Sequence, residues 1–216
     1  MTIHTDNLLE SVLESLDRVD YIRASEIPDI DLYMDQVTSI MEERLRSSVR
    51  HPDTDKILTK TMINNYAKND LLPPPEKRKY SREHVLLLIF IYYFKGFLSM
   101  GDISTLLSPL TEEYFHNDGH ELSLQEVYEM VFSMESGRVL EVKEDLKAAY
   151  ERAENIFAHV EDDEEREYLQ KFAFVCILSF DVYMKKMMIE KIIDAMPERE
   201  TQTKKKREKK QGEPNT

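Results

Sequence analysis

TKTMINNYAKNDLLPPPEKRKYSREHVLLLIFIYYFKGFLSMGDISTLL, Thr59 to Leu107, is the stretch whose reading decides the fold. It opens on Thr59, a residue type suited to capping a helix N-terminus, and at 100° per residue Met62, Ile63, Tyr66 and Ala67 then share one face. Thr61, Asn64, Asn65 and Lys68 gather on the opposite face, with Lys60 at its edge. This short helix must end near Asn69, because Pro73, Pro74 and Pro75 cannot donate helical hydrogen bonds. EKRKY, residues 76–80, follows as a basic connector, and Ser81 can cap a helix over 82–95. Its run VLLLIFIYYF carries no charge on any face, so protein must surround it and it is the expected central core helix. Ser99 and Asp102 then form an S-x-x-D capping box that opens a further helix to about Leu107.

Spacings of three and four between apolar residues continue on both sides of this stretch, and long alternating runs are absent, which predicts a mainly α chain. Leu8, Leu9, Val12, Leu13 and Leu16 mark a first helix over 6–20. Leu32, Tyr33, Val37, Ile40, Met41 and Leu45 mark a second over 31–46, and 47–57 reads as a loop. Beyond Glu112, Ser123 and Glu126 box a helix to about Met134, Gly137 marks a break, and 139–159 and 164–196 read as two long helices. The second carries an apolar band too wide for a free surface helix, Phe172, Leu178, Tyr183 and Met187 among its members. After Pro197 the tail has no apolar periodicity and is expected to be disordered.

Composition removes whole classes of function. Only five glycines occur, the first at Gly96, so the Gly-rich phosphate cradles of nucleotide enzymes have nowhere to sit. A single cysteine, Cys176, excludes a disulfide within the chain and points to a reducing compartment. The apolar windows 85–94 and 172–184 fall short of the roughly 20 residues that cross a bilayer, and the N-terminal residues lack the pattern of a secretory signal. A cytoplasmic protein without a membrane span is the expectation.

Charge is the most informative property once it is divided. The chain totals −13, yet Arg44–Arg82 carries ten positive and four negative residues, a balance of +6, and 199–216 carries +4. The remainder is therefore −23. One basic face on an acidic chain is the footprint of a protein that offers phosphate a single docking surface. The outward face of the 60–68 helix has the chemistry to read a major groove: asparagine can pair with adenine, threonine can meet a thymine methyl, and lysine can meet phosphate or guanine. A plain solvated helix face accounts for the same residues, since asparagine is common at surfaces.

Thr59 to Leu107 resembles the DNA-binding domain of MerR-type transcriptional regulators. Thr59 matches the cap of that family's recognition helix, Ile63 and Tyr66 its leucine and tyrosine, and Leu71, Leu72 and Pro73 its Gly-Leu-Leu-x-Pro exit. Tyr80 and Ser81 match its Tyr-Ser, Leu88, Phe90 and Ile91 its Leu-x-Phe-Ile, and Ser99, Met100, Asp102 and Ile103 its Ser-Leu-Glu-Glu-Ile. With IPDIDLYMDQV, LTKTMINNY and LSMGDI, the wider chain is similar to a family of uncharacterised proteins from low-GC Gram-positive bacteria with a MerR-like core. Departures are specific: Asp70 stands where the MerR family has a glycine, the 47–57 loop is longer, the wing at 74–79 is shorter, and Asn64 and Asn65 replace an aromatic-plus-arginine pair.

The resemblance implies a winged helix-turn-helix module with an all-α C-terminal helical domain, divided as an N-terminal helix at 1–26, the DNA-binding domain at 27–110, a dimerisation or effector domain at 111–197, and a basic tail at 198–216. It implies a homodimer that reads double-stranded DNA, here through Lys60, Thr61, Asn64, Asn65, Lys68, Lys77, Arg78, Lys79 and Arg82; it transfers neither an operator nor an inducer, leaves a small-molecule effector open, and no cofactor is expected. The competing expectation is a protein-interaction adaptor that keeps the fold without reading DNA. Other chemistry is thin. His116, Asp118, His120 and Glu121 could ligate a metal, but Gly119 interrupts their register and a polar loop explains them as well. Met184, Met187, Met188 and Met196 suit core packing or a dimer seam better than a ligand pocket, and EDDEERE at 161–167 suits a solvated first turn. Cys176 lies between Val175 and Ile177 without a basic neighbour to activate it. No constellation points to an enzyme.

Overall fold

A computed structural model describes residues 8–17, 21–116, 119, 121–134 and 137–196. The expected tail at 198–216 lies outside the described residues. The chain is mainly helical: α1 (Leu8–Leu16), α2 (Met34–Leu45), α3 (Lys60–Lys68), α4 (Arg82–Phe94), α5 (Met100–Tyr114), α6 (Leu124–Ser133), α7 (Arg138–Ile156) and α8 (Asp163–Asp194). Two short antiparallel strands, β1 (Leu32–Tyr33) and β2 (Lys79–Tyr80), pair with Leu32 opposite Tyr80 and Tyr33 opposite Lys79.

Helix starts follow the capping residues. Thr59 Oγ1 accepts from the Met62 N–H at 3.2 Å, Ser99 from Asp102 at 3.1 Å, and Ser123 from Glu126 at 3.2 Å. The helix expected over 31–46 begins three residues late, because residues 32–33 are held extended by pairing with β2. At the end of α3, Asp70 is left-handed (φ 56°), and the Leu71 N–H donates back to the Tyr66 carbonyl at 2.9 Å. That closure is the one for which glycine is favoured, and Leu71 and Tyr66 bury together across it.

The helix expected to stop near Leu107 instead runs to Tyr114, through Pro109. A proline inside a helix costs about 3 kcal/mol. Here Ile103, Leu107, Leu110 and Tyr114 pack on the core along both sides of it, and that burial offsets the cost.

The first core is built around α4, whose residues Val85–Ile91 are all buried. Ile63 and Tyr66 of α3 face it, which turns the opposite side of α3 to solvent. The core does not stop at residue 110. Leu124, Tyr128 and Phe132 of α6 lie in it, Phe90 meets Tyr128 edge-on and Phe132 at a tilt, both at 5.4 Å, and the Tyr128 hydroxyl donates to the Ile22 carbonyl at 2.5 Å. Ile22 and Ala24 are buried with them. Packing therefore replaces the expected divisions at 26/27 and 110/111 with a unit running from about residue 22 to 133.

A second, smaller cluster holds Leu146, Ala149 and Ala153 of α7 against Phe174 of α8, with Val12, Leu13 and Leu16 of α1 added on top. The N-terminal helix thus belongs with the C-terminal helices, tied also by Lys143 Nζ to Asp17 Oδ1 at 2.5 Å. Helix α8 spans both units, since Ile193 near its end sits in the first core against α5.

Candidate nucleic-acid interface

Helix α3 is short, and burial of Ile63 and Tyr66 fixes its rotation. Lys60, Thr61, Asn64, Asn65 and Lys68 consequently all stand exposed or nearly so. Lys60 pairs with Asp35 in the first turn of α2, which orients its ammonium at the start of the helix pair. Asn65 contributes its carbonyl to the Asn69 side chain at 2.8 Å and keeps its own amide outward.

The connector after the prolines forms a tight turn. Glu76 bridges Lys79, whose N–H donates to the Glu76 carbonyl at 2.8 Å, and the two residues between them, Lys77 (φ 47°) and Arg78 (φ 67°), are both left-handed. Two successive positive φ angles define the hairpin turn that normally demands Asn-Gly. Lysine and arginine there each store about 1–3 kcal/mol of strain. Both are exposed cations at the tip of the turn. Lys79 leans on the face of Tyr33, 5.5 Å from the ring centroid, so the turn is braced against the strand that leads into α2.

Arg82 departs from the expected set. Its Nη1 donates to Gln125 Oε1 at 3.0 Å and lies 3.6 Å from Asp29 Oδ1, its Nε is buried, and only 21% of its side chain is exposed. It ties the start of α4 to α6 inside the first unit. Tyr33 and Asp35 were not legible as members of this surface, because nothing local to 32–35 shows that β1 lies beside the turn.

Behind the surface, His84 occupies the third position of α4 and is 1% exposed. Its Nδ1 accepts from the Ser81 N–H at 3.0 Å, leaving the proton on Nε2, which finds no partner of normal hydrogen-bond geometry among the described residues. Burial, and next the neighbouring His116, push its pKa down to about 4, although the Pro74 and Pro73 carbonyls act in the opposite sense. The imidazole is neutral at pH 7 and packs edge-on to Tyr80 and Phe115, locking β2 and the end of α5 to α4.

Of the residues that could ligate a metal, His116 is left-handed (φ 50°) and its Nδ1 lies 2.6 Å from Glu83 Oε2, while Asp118 and His120 lie outside the described residues. Among the described residues no three His, Cys, Asp or Glu side chains come together as a metal site. Cys176 is half-buried on α8. No helix of the described residues is long and apolar enough to cross a membrane.

The sequence profile of the family described as "Domain of unknown function (DUF1836)" matches residues 22–131, just over half of the chain. The chain belongs to that family. No curated protein and no solved structure matches the chain. The DUF1836 segment begins at the first buried residue of the first core, Ile22, and ends beside its last residue in α6, Phe132. The family match thus coincides with the first packing unit, carrying α3 and the basic turn with it, and α1, α7 and α8 lie outside the match.

Proposed function

We propose that this protein is a sequence-specific DNA-binding transcriptional regulator of the cytoplasm rather than an enzyme, with α3 in the major groove and the Lys77–Arg78 turn on the flanking backbone. The observation that carries the reading is the juxtaposition on one unit of an amide-rich exposed helix face with a strained two-cation turn, in a chain whose remaining residues are strongly acidic. Asn64 and Asn65 offer bidentate donors and acceptors to base edges, while Lys60, Lys68, Lys77, Arg78 and Lys79 supply phosphate contacts. The resemblance to MerR-type regulators supports the same assignment of the recognition helix. Arg82 is left out of the interface because Gln125 and Asp29 already occupy its guanidinium.

The reading includes a homodimer. Nine large apolar side chains of α8, Phe172, Phe180, Tyr183, Met188 and Ile192 among them, are about half exposed or more. At 150–250 Å² for a large aromatic, they present on the order of 1,000 Å² of apolar surface, beyond the few hundred Å² usual on a monomer and enough for one side of a standard interface. A second copy would place two α3 helices on a two-fold symmetric operator.

Titration of the protein against a random-sequence duplex by fluorescence anisotropy, over a range of salt concentrations, tests the electrostatic half of the proposal. Five phosphate contacts per subunit give a log–log slope near −4 or −5 per head. An affinity that does not change with salt, or no binding at low salt, contradicts it.

A further inference from the structure

Away from α3 and the turn, a cavity of about 500 Å³ opens between the loop that follows α2 and the C-terminal end of α4. Arg50, Lys56 and Lys95 line it, together with Tyr92 and a single carboxylate, Asp55. Among the described residues Arg50 and Lys56 have no ion-pair partner, and Asp55 is already engaged, accepting from the His51 N–H at 2.9 Å. Lys95 is half-buried. Its Nζ donates to the Ile57 carbonyl at 2.8 Å and sits 4.8 Å from the Tyr92 ring centroid, which leaves ammonium donors with no carboxylate to receive them. Burial holds its pKa below the ordinary lysine value.

Tyr92 is fixed by a hydroxyl–hydroxyl hydrogen bond to Ser48 at 2.9 Å, so its ring is a rigid wall rather than a mobile one. The volume falls in the range of small-molecule sites, and a cluster of cations beside a fixed aromatic wall suits a multiply charged anion joined to a flat ring. Loop and helix both contribute cations to this lining, with Arg50 and Lys56 exposed and Lys95 half-buried. We propose that this cavity binds a small phosphorylated ligand with an aromatic ring, a nucleoside di- or triphosphate in its simplest form. Its phosphates would rest on Arg50, Lys56 and Lys95 and its ring would lie against Tyr92. The site does not depend on the DNA-binding reading. Its position bears on regulation, because the Ile57 carbonyl that Lys95 holds lies two residues before Thr59, the cap of α3. Drawing Lys95 toward a phosphate would loosen the anchor of that helix.

Thermal unfolding of the full chain with 1 mM ATP, GTP, tripolyphosphate or adenosine tests the proposal, with Kd then measured by titration calorimetry. ATP or GTP is expected to raise the melting temperature by several degrees, tripolyphosphate by less, and adenosine not at all. R50A and K56A should each weaken nucleotide binding tenfold or more without lowering the melting temperature of the free protein, while K147A, a cation of α7, should leave binding unchanged. No shift with any of the phosphates would overturn the site, as would equal binding by R50A and K56A or binding of adenosine as tight as that of ATP. Displacement of nucleotide by a 25-base-pair duplex in both R78A and the unaltered protein would assign the cavity to the DNA backbone and overturn it as a small-ligand site.

Discussion

The unit at 22–133 and the unit of α1, α7 and α8 solve the same problem to different degrees. In the first, the Val85–Ile91 stretch of α4 is apolar on every side and fully buried, in a core shared with α2, α3, α5 and α6. In the second, Leu146, Ala149, Ala153 and Phe174 are buried among the described residues, while α8, just as apolar in the middle, leaves Phe172, Phe180 and Tyr183 between 55% and 65% exposed. The first core is closed, with Ile193 of α8 contributing to it, and the second leaves much of the apolar surface of α8 exposed. The stability of this protein should therefore lie in the first unit and its assembly in the second.

The largest effect should come from breaking the closed core. Leu87→Ala removes a side chain with no exposure and should cost about 2–5 kcal/mol in urea unfolding. Phe172→Ser with Tyr183→Ser should leave the unfolding of the head within about 0.5 kcal/mol, as exposed substitutions do, yet convert a sedimenting dimer to a monomer at micromolar concentration. A dimer that survives the α8 pair would move the seam elsewhere.

Acid should strike the head next. The unfolded chain binds a proton on His84 below about pH 6.5, and the folded chain does so only below about 4, so between these values the unfolded state binds more protons and stability falls as pH falls. The loss over that window is about 3 kcal/mol, because each tenfold difference in proton affinity between the two states is worth about 1.4 kcal/mol. His84→Gln keeps an acceptor for the Ser81 N–H and should flatten the pH 6.5 to 4 slope of stability relative to the unaltered protein. An unchanged slope would show that His84 is not buried in its neutral form.

A smaller effect of opposite sign is expected at the turn. Lys77→Asn with Arg78→Gly supplies the residues this backbone favours and should stabilise the head by about 1–2 kcal/mol. The same change should weaken DNA binding and reduce the salt slope by nearly two. Gain of stability together with gain of affinity would remove the turn from the interface.

These differences also explain which features could be read from the chain. Thr59, Ser99 and Ser123 announced their helices because a cap is a local interaction between a side chain and an N–H three residues on. The helix read to about Leu107 falls short because the burial of Leu110 and Tyr114, which carries it past Pro109, is not a local interaction. The division at residue 110 failed for the same reason: Tyr128 finds Ile22 more than a hundred residues away, and no periodicity reports that pairing. The outward face of α3 was legible from Ile63 and Tyr66 alone. The partners of Arg82 in space, Gln125 and Asp29, could not be read from its place after the basic residues 77–79. The wide apolar band of α8 reads as needing cover, yet the described residues leave Phe172 and Tyr183 exposed, and a pattern of residues does not say where cover would come from.

Selection of bound duplexes from a random pool, carried out in parallel with the unaltered protein and with Asn64→Ala, Asn65→Ala, tests most directly whether this head reads sequence. The unaltered protein should enrich one symmetric motif, and the double variant should lose about 1–3 kcal/mol for each base pairing removed while binding random duplex almost as before. Enrichment of the same motif by both proteins, or equal weakening on every sequence, would contradict the assignment of α3 as the reading helix.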